Sequence, residues 1–415
     1  MSSTFPELPA TLQDALAAPF QDRRPWQNEI APTYITLFML LIYYDQLGRQ
    51  TLSIGGLFWS LAGAAVGGFL CFALLYYVPA MWGLRSRQPL VVVATSTFGA
   101  SGAPWVPGLI TGLAHLGWFA VCVYAAADVA LRGLVSCHLI APASLEPMRV
   151  GGMRLESPLF LFVMLFWSLS AATLGVRLVR IVAAVLKGYA VFPALVLGGL
   201  MIWALPGLGQ FAPLRIDPLT AEPIARGARW AFLMMIQLVA AFFTLSGASA
   251  ADWGAVSRDT RDVRMGGLVG VFLASWILAA IPLFTVAGAN GRAQGAGVLK
   301  TDLAAQVRLQ EAYENGEPSL EFYRKQVLEV GAENFTFRGV LLRGVGGTLA
   351  AALLFVLGLA LLGPCCFNPF VFGHRFAAVA PGLKRWAWSL IGAVAAWPLM
   401  AFDLPARSEL MFGAL

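Results

Sequence analysis

Charge is what this sequence has least of. Only 12% of its 415 residues are Asp, Glu, Lys or Arg, against about 25% in an ordinary soluble domain. That is too little polar surface to coat a water-soluble body, and a disordered chain needs more charge still. Histidine is scarce as well: His115, His138 and His374 are three scattered residues with no metal-ligand spacing. The five cysteines, Cys71, Cys122, Cys137, Cys365 and Cys366, exclude a disulfide scaffold. Four lie in or beside apolar runs and read as small buried hydrophobes. Within the apolar runs there are no paired carboxylates and no nucleophile–base pair, which argues against an enzyme. The formal charge of +6 is spread between apolar runs rather than gathered in a patch. It points to lipid headgroups and not to nucleic acid.

What is abundant is apolar length. Hydrophobic residues make up 59% of the chain, and the mean hydropathy is +0.73. The runs are continuous and lack the period-two alternation of a membrane barrel. The class is therefore an all-α polytopic membrane protein. With about 20 apolar residues needed per span, nine spans are expected at 32–54, 57–82, 104–131, 157–176, 188–206, 227–250, 265–288, 341–363 and 386–403. Residues 1–30 are polar, lack the apolar core of a signal peptide, and read as a cytoplasmic tail. Residues 31–405 form the transmembrane domain, and 406–415 a stub. Between spans seven and eight, 289–340 is an extramembrane insertion with two short helices broken at Gly316-Glu317-Pro318. Residues 135–156 are a shorter, irregular loop. With the N-terminus inside, the short inner loops hold eleven basic residues and the outer ones six, which favours that orientation in the cell membrane. Gly63 with Gly67, and Gly108 with Gly112, are GxxxG pairs that let helices pack closely.

Function is expected where polarity interrupts these runs. Asp45 lies in Tyr43-Tyr44-Asp45-Gln46 of the first span. It is either a cation or proton site in an interrupted helix, or an interfacial i, i+4 partner of Arg49. The segment Thr95 to Pro104 holds too many glycines and hydroxyls to face lipid. His115, Trp118 and Cys122 then follow at i, i+3 and i+7, on one helix face. Phe242-Phe243 runs into the small residues Ser246-Gly247-Ala248 and on to Asp252, with Arg258 beyond. Asp252 and Arg258 read as a gate or an interfacial ion network. Gly363-Pro364 precedes Asn368, a donor and acceptor at the end of an apolar span.

The order of these breaks resembles the nucleobase–cation symporter-1 family, the permeases for cytosine, purines, uracil, hydantoins and allantoin. Three motifs carry the resemblance over roughly 35–405. Thr97-Phe98-Gly99-Ala100-Ser101-Gly102-Ala103 is followed by Gly117-Trp118-Phe119. Phe243 stands nine residues before Asp252. Asn368 stands thirteen before Pro381. The resemblance implies a five-plus-five inverted-repeat fold and a substrate site between helices one, three, six and eight. It implies that Trp118 and Phe243 sandwich a planar ring across a gap at mid-membrane, with Asn368 on the ring edge and His115 and Cys122 lining the site. Base–aromatic stacking is worth about 1–3 kcal/mol.

The chain departs from the family pattern at several positions. Thr95 replaces an arginine, Cys122 a glutamine, and Phe243 the more usual tryptophan. Leu362 and Gly363 stand where hydroxyls would bind sodium, which argues against sodium coupling. Proton coupling through Asp45 or His115, or uncoupled facilitation, is the alternative. No cofactor or metal is expected. The second repeat also lacks a tenth span, so the sequence reads as a fragment or a nine-helix remnant. The expected function is a secondary transporter for a nucleobase or related heterocycle. The rival is a non-transporting binding or sensing protein on the same scaffold.

Overall fold

The computed structural model describes residues 25–29, 47–151, 153–177, 191–213, 227–295, 337–380 and 382–402, with the single positions 23 and 315. A short helix, α1 (Trp26–Glu29), is followed after the undescribed stretch by a wide turn at Gly48–Leu52. That turn feeds α2 (Ser53–Ser86). Next come α3 (Thr95–Gly102) and α4 (Pro104–Ser136), α5 (Pro158–Arg177) and α6 (Val191–Gln210). Then follow α7 (Ala228–Val256), α8 (Thr260–Ala293), α9 (Phe337–Gly344), α10 (Gly347–Val379) and α11 (Arg385–Ala401). Among the described residues six helices are long and apolar enough to cross a membrane, seven when the two parts of α7 are taken as one span. The 17 residues of α11 are at the lower limit of spanning length. Most of the expected span 32–54, the 296–336 part of the insertion and the stub lie outside the described residues.

Four helices are much longer than their apolar runs suggested. α2 and α8 have 34 residues and α4 and α10 have 33, so each is about 50 Å long at 1.5 Å per residue. The expected span 341–363 divides between α9, which holds its first residues, and α10, which continues past its end. Leu361 keeps right-handed backbone angles (φ −67, ψ −11), so the chain flexes there without ending the helix. Asn368 consequently sits inside a helix rather than at a span's end. α8 similarly carries helix beyond 288, to Ala293. The loop after α4 contains a small hairpin, β1 (Met148–Val150) against β2 (Met153–Leu155), with Arg149 opposite Arg154. Gly151, at φ +58, makes its turn.

The helices sort into two packs. In one, α2 lies along α7 and α8, and α8 also holds α6. In the other, α4 lies along α10, and α5 and α11 close around both. Contact between α4 and α7 is slight by comparison. Within each pack, backbones meet at glycines. A Cβ on Gly83 would collide with the Ala251 carbonyl, and one on Gly254 with the Ala80 carbonyl, which locks α2 to α7. Gly133 meets Phe355 and Gly358 meets Ala130, which locks α4 to α10. The GxxxG glycines take part unequally. Gly63 and Gly67 abut α7, and Gly112 abuts Phe376 of α10, but a Cβ on Gly108 would meet only its own helix. Small residues substitute for a hydrophobic drive that lipid cannot supply. Outward faces carry exposed Phe58, Leu74, Phe162, Leu195 and Leu349, an apolar surface suited to acyl chains. The chain is an integral membrane protein.

Candidate functional site

Three helix interruptions prepare the site. Gly99, inside α3, has φ +73 and open space where a Cβ would lie. Pro107, in the first turns of α4, offers no backbone N–H, and the surrounding Pro104–Leu109 winds as a wider π turn. α7 is bent by 61° between Ala228–Thr244 and Ser249–Val256, at the small residues following its two phenylalanines.

Near the middle of α4, His115, Trp118 and Cys122 share one face, as their spacing predicts, and all three are buried. That face meets α10. The His115 ring nitrogen Nδ1 lies 2.9 Å from Asn368 Oδ1. The amide nitrogen of Asn368 is directed at Cys122 Sγ, 3.8 Å away. Phe367 stands edge-on to the imidazole with ring centres 6.1 Å apart. His115, Asn368 and Cys122 thus form one buried polar chain bridging α4 and α10.

The aromatic part differs from expectation in its details. The ring against Trp118 is Phe242, with centres 5.6 Å apart and planes at 86°. Phe243 is buried behind it, 5.2 Å from Phe242 and also edge-on. Edge-to-face contact leaves no parallel slot between Trp118 and Phe242.

Asp252, on the last turns of α7, bonds neither to Arg258 nor to any other residue of its own helix's continuation. Its Oδ1 accepts from the backbone N–H of Leu90, 2.7 Å, and its Oδ2 from Arg375 of α10, 2.8 Å. Arg258 instead grips Asp262 at 2.6 and 3.0 Å, which holds its guanidinium above its ordinary pKa. Asp262 also accepts from the Trp26 backbone, 3.4 Å, and Asp259 caps α8 through the Asp262 N–H, 2.8 Å. The expected Asp252–Arg258 network is therefore two separate clusters on one face of the protein. In the sequence Arg375 is one of the basic residues between apolar runs, and its place at the polar end of such a run is the signal that could have marked it.

Asp45 lies outside the described residues, as do the side chains of Leu362 and Gly363. Among the described residues no group of three or more His, Cys, Asp or Glu side chains is placed to hold a metal ion.

Two helical packs, joined where Trp118 of α4 meets Phe242 of the bent α7, define a polytopic helical membrane protein. The particular kinship comes from comparison. Over 287 residues the chain is 24% identical to an Escherichia coli (strain K12) protein named "Putative allantoin permease", a match covering 65% of this chain and 55% of that one. The chain thus spans about half the length of the curated relative it matches. Its fold is similar to that of Mhp1, a nucleobase-cation-symport-1 family transporter solved in a closed conformation with bromovinylhydantoin bound. The TM-score is 0.54 at 13% identity, covering 93% of this chain and 75% of Mhp1. No protein-family profile matches the chain. The resemblance to the nucleobase–cation symporter-1 family is borne out by these two findings.

Proposed function

We propose that the chain is a permease for a small planar heterocycle, working by alternating access. The observation that carries this reading is a cluster near the middle of three helices, where Trp118 meets Phe242 across the boundary of the two packs and His115, Cys122 and Asn368 stand beside that contact, between α4 and α10. Support also comes from the ligand and name of the two similar proteins, one solved with a hydantoin and one named for allantoin. Trp118 supplies the stacking face, and Phe242, backed by Phe243, is the ring that closes over the substrate.

In this reading one pack rocks against the other about the site. Asp252 is the latch on one face. It ties the end of α7 to Arg375 at the end of α10 and to the segment entering α3. Positive charge gathers on this face, from Arg87, Arg258, Arg375 and Arg385, which supports its being cytoplasmic. Coupling is to protons or absent, because Leu362 and Gly363 bring no hydroxyl ligands for sodium.

The test is uptake of radiolabelled uracil, hypoxanthine, hydantoin and allantoin into proteoliposomes, under an imposed proton gradient, a sodium gradient or neither. Accumulation of one of these solutes, indifferent to sodium, is expected. Saturable binding without any entry makes the chain a binding protein instead.

A further inference from the structure

One buried atom in the cluster has its bonding capacity unspent. His115 is 4% exposed, and its Nε2 has no hydrogen-bond partner among the described residues. A buried acceptor left unpaired costs about 1–3 kcal/mol, and native interiors tolerate few of them. The rest of the chain of contacts determines what this atom is. Asn368 directs its amide nitrogen at Cys122, so its oxygen faces His115. An amide oxygen only accepts, so the proton of the neutral imidazole resides on Nδ1. Nε2 is then a bare lone pair.

Asn368 spends one contact at each end of its amide on the protein, one to His115 and one to Cys122, so its orientation is set by α4. His115 lies three residues before Trp118 on the same face of α4. Residues so spaced are about 5–6 Å apart at Cβ, so a ring on the indole face brings its edge to the imidazole.

We infer that His115 Nε2 is the specificity-determining acceptor of the site, taking a hydrogen bond from a ring N–H flanked by carbonyl groups, as in an imide or lactam heterocycle. This deepens the permease reading and rests on it. Asn368 and Cys122 act through His115: they fix its tautomer and aim the lone pair.

The experiment measures binding to the purified full-length chain in detergent by ligand-dependent thermal shift and tryptophan fluorescence. The probes are hydantoin and uracil, each with its two monomethyl and its dimethyl N-substituted forms. Wild type should bind a parent ring and lose at least tenfold in affinity when N3, the nitrogen between the two carbonyl groups, is methylated, with little effect at N1; a loss confined to N1 overturns the inference. His115→Phe should bind the parent about as weakly as wild type binds that methylated form, so that discrimination shrinks below threefold. His115→Gln, whose side-chain oxygen still accepts, should recover part of it. Wild type that binds the dimethyl forms as well as the parents overturns the inference without any variant. So does a His115→Phe or His115→Gln protein whose methyl discrimination follows no such order. Folded wild type that binds none of the parent rings overturns the heterocycle reading itself, a different result from binding without N–H discrimination.

Discussion

At the scale of single residues, the site depends on which ring touches which. Stacking of a base on an aromatic contributes about 1–3 kcal/mol, so Trp118→Ala should weaken binding of a planar ligand by roughly ten- to a hundredfold. Phe242→Leu should weaken it by a similar amount, and Phe243→Leu by much less, because Phe243 packs on Phe242 and not on Trp118. Titration of the three purified variants by fluorescence decides this; equal losses at the two phenylalanines would show that both rings face the ligand. The sequence made His115, Trp118 and Cys122 legible as a set, since α4 is regular there and spacing alone gives the shared face. It did not discriminate Phe242 from Phe243. The 61° bend of α7 begins just beyond them, and helical phase cannot be carried through a break. Nor did it pair Asp252 with Arg375, because 123 residues separate them and local spacing holds no information about that contact.

At the scale of elements, two devices make opposite demands. The seams within each pack permit no added atom. Gly83→Ala or Gly254→Ala puts a methyl group into a facing carbonyl, and overpacking of this kind costs about 1–3 kcal/mol or more. Both should lower the melting temperature in detergent, whereas Gly198→Ala, with open space at its Cβ, should leave it unchanged. The proposed Asp252 latch, by contrast, has to break in each transport cycle. Asp252→Asn and Arg375→Gln should each speed alkylation of Cys122 by a water-soluble maleimide, read site by site by mass spectrometry. The double variant should react no faster than either single one, as for two members of one interaction. Rates unmoved by all three would remove the latch from the mechanism. Element existence was legible from long apolar runs, while element ends were not. Gly-Pro at 363–364 closes the apolar run, yet α10 continues through it: the chain flexes at Leu361, and Pro364 falls in the first turn of the Leu362–Val379 part, where no hydrogen bond is lost.

At the scale of the whole molecule, the two packs explain why glycines cluster where they do. On the permease reading proposed above, bodies whose backbones touch move as units, and the slight contact of α4 with α7 is where motion between them costs least. The Trp118–Phe242 contact lies on that boundary, with His115, Asn368 and Cys122 beside it between α4 and α10, so on that reading a ligand bound there favours one placement of the packs. Helices of about 50 Å also bear on the membrane they occupy. The hydrocarbon layer is about 30 Å deep, and a typical tilt of about 20° shortens such a helix by only a few ångströms. The ends of α2, α4, α8 and α10 therefore stand clear of the acyl chains whatever the lipid, and hydrophobic mismatch is met by sliding reserve rather than by bending. Reconstitution into bilayers of progressively longer fatty acids should accordingly keep these four helices spanning, so that α5, α6 and α11, with 20, 20 and 17 residues, set the thickness at which the melting temperature begins to fall.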